Sequence, residues 1–558
     1  MIKTKIISSL EKVFTDQRIE DFDTLAYISA LRGERIRMQL LVAYENEYDE
    51  PKRRRLIPKF SGSLSECVTL YKVSELPVSY PAEKFFCDEQ YLRTTPGLYP
   101  DLLEPLRYEG KIVIGNPVLE NVPTSVWLEI SVPADAKCGA DTLSVTLYDE
   151  ESGEALAGDS VTVEVINATL PEQELIFTQW LYCDCLAEYY NVPVWSDRHW
   201  EIIENFARTA KKTGINMLLT PVFTPPVDTK IGGERLTTQL VRVKKTSGRY
   251  TFDYKLLDRW IAMCDRVGIK YFEISHFFTQ WGATHAPKIM ATVDGEYKKI
   301  FGWETDAHGE EYKKFLHSFI KSFLNYMKKR GDDHRCYFHV SDEPSGEQLE
   351  DYKKSKKIVE GLLKNYTIMD ALSSYEFYKQ GVVKTPIPAS DCIQSFIDGG
   401  VKGLWAYYCG GQRTKVSNRF IAMPSWRNRS IGMQLYKYDI VGFLHWGFNF
   451  YKNQHSVDCI NPYLEQGGDA WVSAGDAFSV YPARDGTALE SLRTMVFHDA
   501  IEDIGAMRLC ESLYSKDEVV AAIEEELGEA LTFERCAYSA DEMMRVRERI
   551  NAMIKAKV

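Results

Sequence analysis

From the N-terminus to about residue 170, apolar positions fall in short runs rich in β-branched side chains, at 38–42, 111–114, 126–132, 143–147 and 161–165. Turn signals such as Pro133-Ala134-Asp135 and Glu151-Ser152-Gly153 separate the runs, as between strands. Several such strands without a helical period predict an antiparallel β-sandwich. The stretch 167–172 closes the last strand and serves as a linker.

Beyond it the pattern switches to strand-then-helix alternation, the mark of parallel β/α architecture. Strands are expected at 176–180, 216–220, 270–276, 336–340, 366–370, 385–389, 403–408 and 441–446. Amphipathic stretches lie between them: 197–212 opened by Ser196, 253–267 ended by Gly268, 308–329 ended by Gly331, 346–365, and a run reaching Tyr438. Eight strands in this order fit a (β/α)8 TIM barrel, which needs about 250 residues or more. A doubly wound open sheet would want a glycine-rich phosphate loop after its first strand, and Trp180-Leu181-Tyr182-Cys183-Asp184 is not one. The expected division is a sandwich over 1–170, a catalytic barrel over 171–510 and C-terminal helices over 511–558.

Composition narrows the partners. The net charge is −13, which repels nucleic acid and anionic membrane surfaces. No stretch approaches the ~20 apolar residues of a membrane span. The N-terminal residues offer only a five-residue weakly apolar run, short of the roughly 7–15 of a secretory leader, so a soluble, cytoplasmic protein is expected. The basic cluster Lys52-Arg53-Arg54-Arg55 reads as a solvated turn. The 12 cysteines show no zinc-module spacing. Only Cys183-Asp184-Cys185 is suggestive, and buried structural cysteines are the reading preferred there. No metal site or cofactor motif is visible.

Barrel enzymes carry their reacting groups at the C-terminal ends of the strands. There this chain places carboxylates, amides and aromatics: Asp342-Glu343-Pro344 after strand four, Glu273 and His276 on strand three, and Gln179 and Trp180 on strand one. Asp370, Tyr375 and Glu376 follow strand five, Tyr407 and Tyr408 lie on strand seven, and Trp446 and Asn449 on strand eight. Aromatic faces with hydrogen-bonding amides suit a sugar ring, and glycoside cleavage needs a carboxylic acid to protonate the leaving oxygen. Two adjacent acids do not easily flank an anomeric carbon from opposite faces. They can place one carboxyl at the leaving oxygen and the other beside a C2 acetamido group whose own carbonyl attacks C1. Like charges so close raise one pKa and favour a protonated acid.

The segment Phe338-His339-Val340-Ser341-Asp342-Glu343-Pro344 resembles the catalytic strand of glycoside hydrolase family 123. Gln179-Trp180-Leu181-Tyr182-Cys183-Asp184-Cys185, Phe272-Glu273-Ile274-Ser275-His276-Phe277-Phe278, Trp446-Gly447-Phe448-Asn449-Phe450-Tyr451 and Gly475-Asp476-Ala477-Phe478-Ser479-Val480-Tyr481-Pro482 are similar to its other recurring segments. The resemblance covers about residues 172–510, and the preceding sandwich is similar to the family's N-terminal domain. It implies an exo-acting β-N-acetylgalactosaminidase that retains configuration through an oxazoline, with Glu343 as general acid/base and Asp342 orienting the acetamido group. One departure is 497–504, which lacks the Arg-Asp-Gly expected there and so bears on local helix packing.

Substrate-binding candidates complete the reading. Trp446 would floor the sugar. Tyr407 or Tyr408 would donate to the acetamido oxygen, only one of them facing the barrel because strand neighbours alternate, with Tyr375 as rival. Gln179, Asn449 and His276 would bind hydroxyls, and Trp281 and His285 would cover the cleft. The partner is a glycan or glycoconjugate with a terminal amino sugar. Two alternatives stay open: a retaining glycosidase of a non-acetamido sugar with Glu273 or Glu376 as nucleophile, and a non-catalytic carbohydrate-binding protein.

Overall fold

A computed structural model of the chain describes residues 1–45, 55–107, 111–115 and 122–558. Lys52, Arg53 and Arg54 of the basic cluster lie outside the described residues, and Arg55 begins a strand, Arg55–Ser61.

Two five-stranded sheets form the N-terminal region. The first runs, in spatial order, Ile2–Ser8, Arg35–Tyr44, Thr124–Ser131, Val68–Val78 and Gly97–Pro105, every neighbour antiparallel. The second runs Tyr27–Arg32, Ala155–Thr169, Gly139–Asp149, Arg55–Ser61 and Ile114–Gly115. It departs from the all-antiparallel expectation, because Tyr27–Arg32 lies parallel to Ala155–Thr169. The expected strand at 111–114 shrinks to Ile114–Gly115. Alternate positions point into one shared core: Met38, Leu40, Leu128 and Ile130 from the first sheet, Val145, Leu147, Val163 and Val165 from the second. Each such buried side chain contributes roughly 1.5–3 kcal/mol relative to exposure.

The barrel strands are Ile176–Gln179, Met217–Thr220, Tyr271–Ile274, Cys336–Phe338, Thr367–Ala371, Thr385–Ile387, Trp405–Tyr407 and Gly442–His445. They form one parallel sheet in which strand one joins strand eight. Strands six and seven meet at a single bridge, Ala389 to Tyr407, where Tyr407 N–H donates to Pro388 O and Ser390 N–H to Tyr407 O. The surrounding helices follow the apolar period. In Asp197–Lys212, the Ser196 side chain caps the His199 N–H while Trp200, Ile203, Phe206, Ala207 and Ala210 turn inward. The expected helix at 346–365 is shorter, a 3-10 turn followed by Leu349–Val359.

Two hairpins in the loops after strands two and three escaped the sequence reading. Arg242–Thr246 with Arg249–Asp253, and Ile289–Val293 with Glu296–Phe301, join into a four-stranded sheet. Their turns, Ser247-Gly248 and Asp294-Gly295, hold positive φ at both positions, the tight-hairpin geometry that such dipeptides favour. Lysine pairs in two of the four strands obscured the β pattern.

The expected boundary at 510/511 falls inside one helix, Leu492–Leu513, which runs from the barrel into the C-terminal region. With Lys516–Leu527 and Ala540–Lys555 it shares a core with Leu31, Tyr71, Trp127 and Ile166 of the N-terminal sheets. The departing segment 497–504 lies in this helix. Phe497 stacks on Phe177 of strand one, Asp499 pairs with Arg37 and Asp503 with Arg429. Among the described residues, no helix is long and apolar enough to cross a membrane.

Candidate active site

Strand four leads directly into the Asp342-Glu343 pair. In an extended chain, neighbours point to opposite sides, yet both residues line the same cleft. The backbone supplies the reason: Glu343 has φ 41, in the left-handed region that non-glycine residues seldom adopt. Such strain costs about 1–3 kcal/mol and persists only where the surroundings enforce it. Here Glu343 N–H donates to Ala371 O at 3.1 Å, Trp281 N–H to Asp342 O at 3.2 Å, and Ser341 Oγ to Thr279 O at 2.8 Å.

The cleft encloses about 260 Å³ at the C-terminal end of the barrel. Its aromatic walls are Trp180, Tyr182, Trp281, Tyr407, Trp446 and Trp471, with Val227, Ala371, Leu444 and Val472 between them. Tyr407 OH donates to Glu343 Oε1 at 2.7 Å. Trp446 Nε1 donates to Asp476 Oδ2 at 3.1 Å, and its ring lies 5.5 Å from that of Trp471. Arg413, the guanidinium in the lining, is paired with Glu83 of the N-terminal region.

Four carboxyl groups face this space: Asp228, Asp342, Glu343 and Asp476. Glu343 opens to solvent at the mouth, but protein crowds its carboxyl. That desolvation raises its pKa, against the Tyr407 hydrogen bond, which lowers it. Asp342 lies well above the usual aspartate range, first through desolvation and then through Glu343, while His339 opposes the rise. Desolvation also lifts Asp228 to about 7 and Asp476 to about 6. Burial and mutual repulsion thus both favour a protonated form of the pair, which a general acid needs.

Of the eight residues nominated from sequence, the cleft brings together Asp342, Glu343, Tyr407 and Trp446. The other four are displaced from it. Gln179 is buried, its Oε1 accepting from Arg419 at 2.5 Å and from Ser479 at 2.9 Å. Asn449 is buried and brackets Tyr182, accepting from its N–H and donating to its carbonyl. His276 lies beneath the cleft, stacked 4.3 Å from His339. Tyr375 sits on the short helix Tyr375–Lys379 and packs on Phe396. Tyr408 faces away and donates to Asn428. Trp281 reaches the rim, whereas His285 packs against Trp303 outside the lining.

The proposed nucleophiles of the two-carboxylate alternative are also elsewhere. Glu273 is fully buried, accepting from Thr178, Trp180 and His339. Glu376 accepts from Gln380 on an exposed face. Sequence reasoning missed Asp228, Asp476, Trp471 and Arg413 as lining residues. Asp476 lay within a family-like segment and was recoverable; the others sit on loops with no local signal. Cys183 and Cys185 are buried on the helix Cys183–Tyr189, and Asp184 between them holds Arg235 through two bonds of 2.8 and 2.9 Å. All 12 cysteines are unpaired.

Two clusters gather three potential metal ligands among the described residues: His276, His339 and Asp370, and His498, Asp499 and Glu502. In the first, both nitrogens of His339 already meet carboxylates; in the second, Arg37 occupies the centre. Neither arrangement favours a cation.

A parallel barrel with paired carboxyls among aromatics at its C-terminal mouth defines the class: a glycoside hydrolase. The catalytic-domain model of glycoside hydrolase family 123 matches residues 180–510, and the chain belongs to that family. In fold it is similar to a family 123 glycoside hydrolase from Clostridium perfringens, described for glycolipid glycan hydrolysis. That match has a TM-score of 0.72 at 15% identity and covers 100% of this chain and 97% of that one. A Bacteroides uniformis β-glucuronidase matches at TM-score 0.29 and 11% identity, over 90% of this chain and 49% of that one, too shallow to inform the fold. Among curated proteins, no sequence matches at a significant level.

Proposed function

We propose that the protein removes terminal β-linked N-acetylgalactosamine from a glycan or glycoconjugate, retaining configuration by substrate-assisted catalysis. The observation that carries this reading is that adjacent Asp342 and Glu343 line one cleft while Glu273 and Glu376 do not. Glu343 donates its proton to the glycosidic oxygen as the acetamido oxygen attacks C1, giving an oxazoline and a free alcohol. Asp342 accepts the acetamido N–H. Water then attacks C1 with Glu343 as base, and the second inversion restores the β configuration.

The shared proton supports this division of labour. An amide N–H offered to Asp342 favours its carboxylate form, which leaves the proton on Glu343, beside the leaving group. Trp446 and Trp471 provide faces for the sugar ring. The cleft volume, near or below the roughly 300 Å³ lower end of drug-sized pockets, suits one terminal residue. The galactosamine configuration follows the family.

Asp476, like Asp228, lines the same cleft and is a candidate nucleophile for a two-carboxylate mechanism. Nitrophenyl β-N-acetylgalactosaminide and nitrophenyl β-galactoside separate the readings. Turnover of the acetamido substrate with inhibition by a thiazoline analogue is expected. Turnover of the plain galactoside alone would end the oxazoline mechanism and move attention to Asp476. Sugar binding without turnover of either would mark a carbohydrate-binding protein.

A further inference from the structure

Beneath the catalytic pair lies a closed group of ionisable side chains that the proposed mechanism does not use. His339, directly after strand four and three residues before Asp342, is fully buried. Its Nε2 lies 2.7 Å from Glu273 Oε1 on strand three, and its Nδ1 lies 3.2 Å from Asp370 Oδ1 on strand five. Both carboxylates also accept from other donors. Glu273 accepts Thr178 Oγ1–H at 2.5 Å and Trp180 Nε1–H at 2.7 Å. Asp370 accepts the Tyr352 hydroxyl and the Val340 N–H, the latter at 3.0 Å.

An ionised carboxylate only accepts, so between two of them both imidazole nitrogens must donate and His339 is an imidazolium. Two buried anions beside it supply the stabilisation, and they raise its pKa to about 10 despite desolvation. His276, stacked on it at 4.3 Å from the end of strand three, is held neutral by the same burial and by the cation beside it. Trp180 of strand one meets the His339 ring edge-on at 6.4 Å and lines the cleft above. The group thus carries two negative charges and one positive charge directly under Asp342.

We propose that His339 is a positioning residue for the catalytic pair: clamped between Glu273 and Asp370, its cation favours the carboxylate form of Asp342 and so biases the shared proton toward Glu343. The clamp also ties strand four to both neighbours at the point where the chain turns into the strained Glu343. Without the cation, two uncompensated anions would face Asp342 and hold the proton more strongly there, on the group that must accept the acetamido N–H.

This inference rests on Asp342 and Glu343 acting as the pair proposed above. The test is the pH profile of kcat/KM for His339→Gln against the unmodified enzyme on nitrophenyl β-N-acetylgalactosaminide. Loss of the cation raises the Asp342 pKa, so the acid limb should move to higher pH by about one unit, a tenfold loss on that side regained at higher pH. A uniform loss with the limb unmoved would overturn the proposal. Nitrogen-15 histidine spectra of the unmodified protein give a second reading that needs no variant. One of the 10 imidazoles should stay doubly protonated at pH 9, and the absence of any such ring would also overturn it. An unmodified enzyme inactive on every β-glycoside would instead sink the catalytic reading, whatever the spectra showed.

Discussion

The barrel mouth and the seam joining the barrel, N-terminal sheets and C-terminal helices are both dense in buried charge, yet they are built oppositely. At the seam the most deeply buried carboxylates are answered by guanidiniums. Arg37 binds Glu129 at 2.9 Å and also Asp499; Arg429 grips Asp503 with bonds of 2.7 and 2.8 Å. Arg547, from the last helix, reaches Asp503 at 3.0 Å and Glu34 of the N-terminal region at 2.9 Å. At the mouth, Asp342 and Glu343 enter no ion pair among the described residues, and the partner of Glu343 is a tyrosine hydroxyl. Burial alone therefore does not mark a functional charge here. Nor does a raised pKa, since Glu34 and Glu502 at the seam are lifted to about 7 beside their guanidiniums. What sets the mouth apart is an open cleft in which the two carboxyls have no paired countercharge among the described residues.

The comparison breaks most sharply at Glu343. Glu343→Gln should cut hydrolysis of poorly activated glycosides by about 10³-fold, within the range of acid–base catalysis, with the melting temperature little changed. Full activity in that variant would remove Glu343 as the acid. Asp503→Asn is the converse experiment. Leaving two buried guanidiniums short of an anion should cost about 3–5 kcal/mol, seen as a lower denaturation midpoint, while kcat/KM per folded molecule holds. An activity loss larger than the stability loss would mean that the seam reaches the site.

Tyr407→Phe sharpens the contrast with a smaller effect. Its hydroxyl favours the ionised form of Glu343, so removing it raises the Glu343 pKa. The alkaline limb of kcat/KM should then shift to higher pH while the peak rate falls about tenfold, the loss of one hydrogen bond to a charged group. A limb moving down would contradict the assigned direction. Least affected should be Glu376→Gln, since that carboxylate accepts only from Gln380 on the surface. A loss of more than a few-fold would revive it as nucleophile.

How legible the molecule was in its sequence varied with the range of the determining contacts. Helices such as Asp197–Lys212 and all eight barrel strands were readable because period and capping are local. The lysine-rich hairpins after strands two and three were hidden, although their Ser-Gly and Asp-Gly turns were in plain view. The boundary expected at 510/511 lies within the helix Leu492–Leu513, because a helix packed on two sides continues past the end of the barrel. Gln179 and Asn449 looked like sugar-binding amides at strand ends; residues 240 and 267 positions distant take their hydrogen bonds.

By itself, the sequence determined the barrel, the family and the candidate acid pair, because hydrophobic period and a contiguous motif are properties of neighbouring residues. Tertiary structure alone decided which residues face the cleft. The positive φ of Glu343 turns two adjacent acids into one space, and loops far apart in the chain bring Asp228, Trp471 and Asp476 to meet them. It also decided the charge of His339, which depends on Glu273 and Asp370 approaching from the strands on either side. A pKa is set by what lies within a few ångströms, and chain order does not encode that distance.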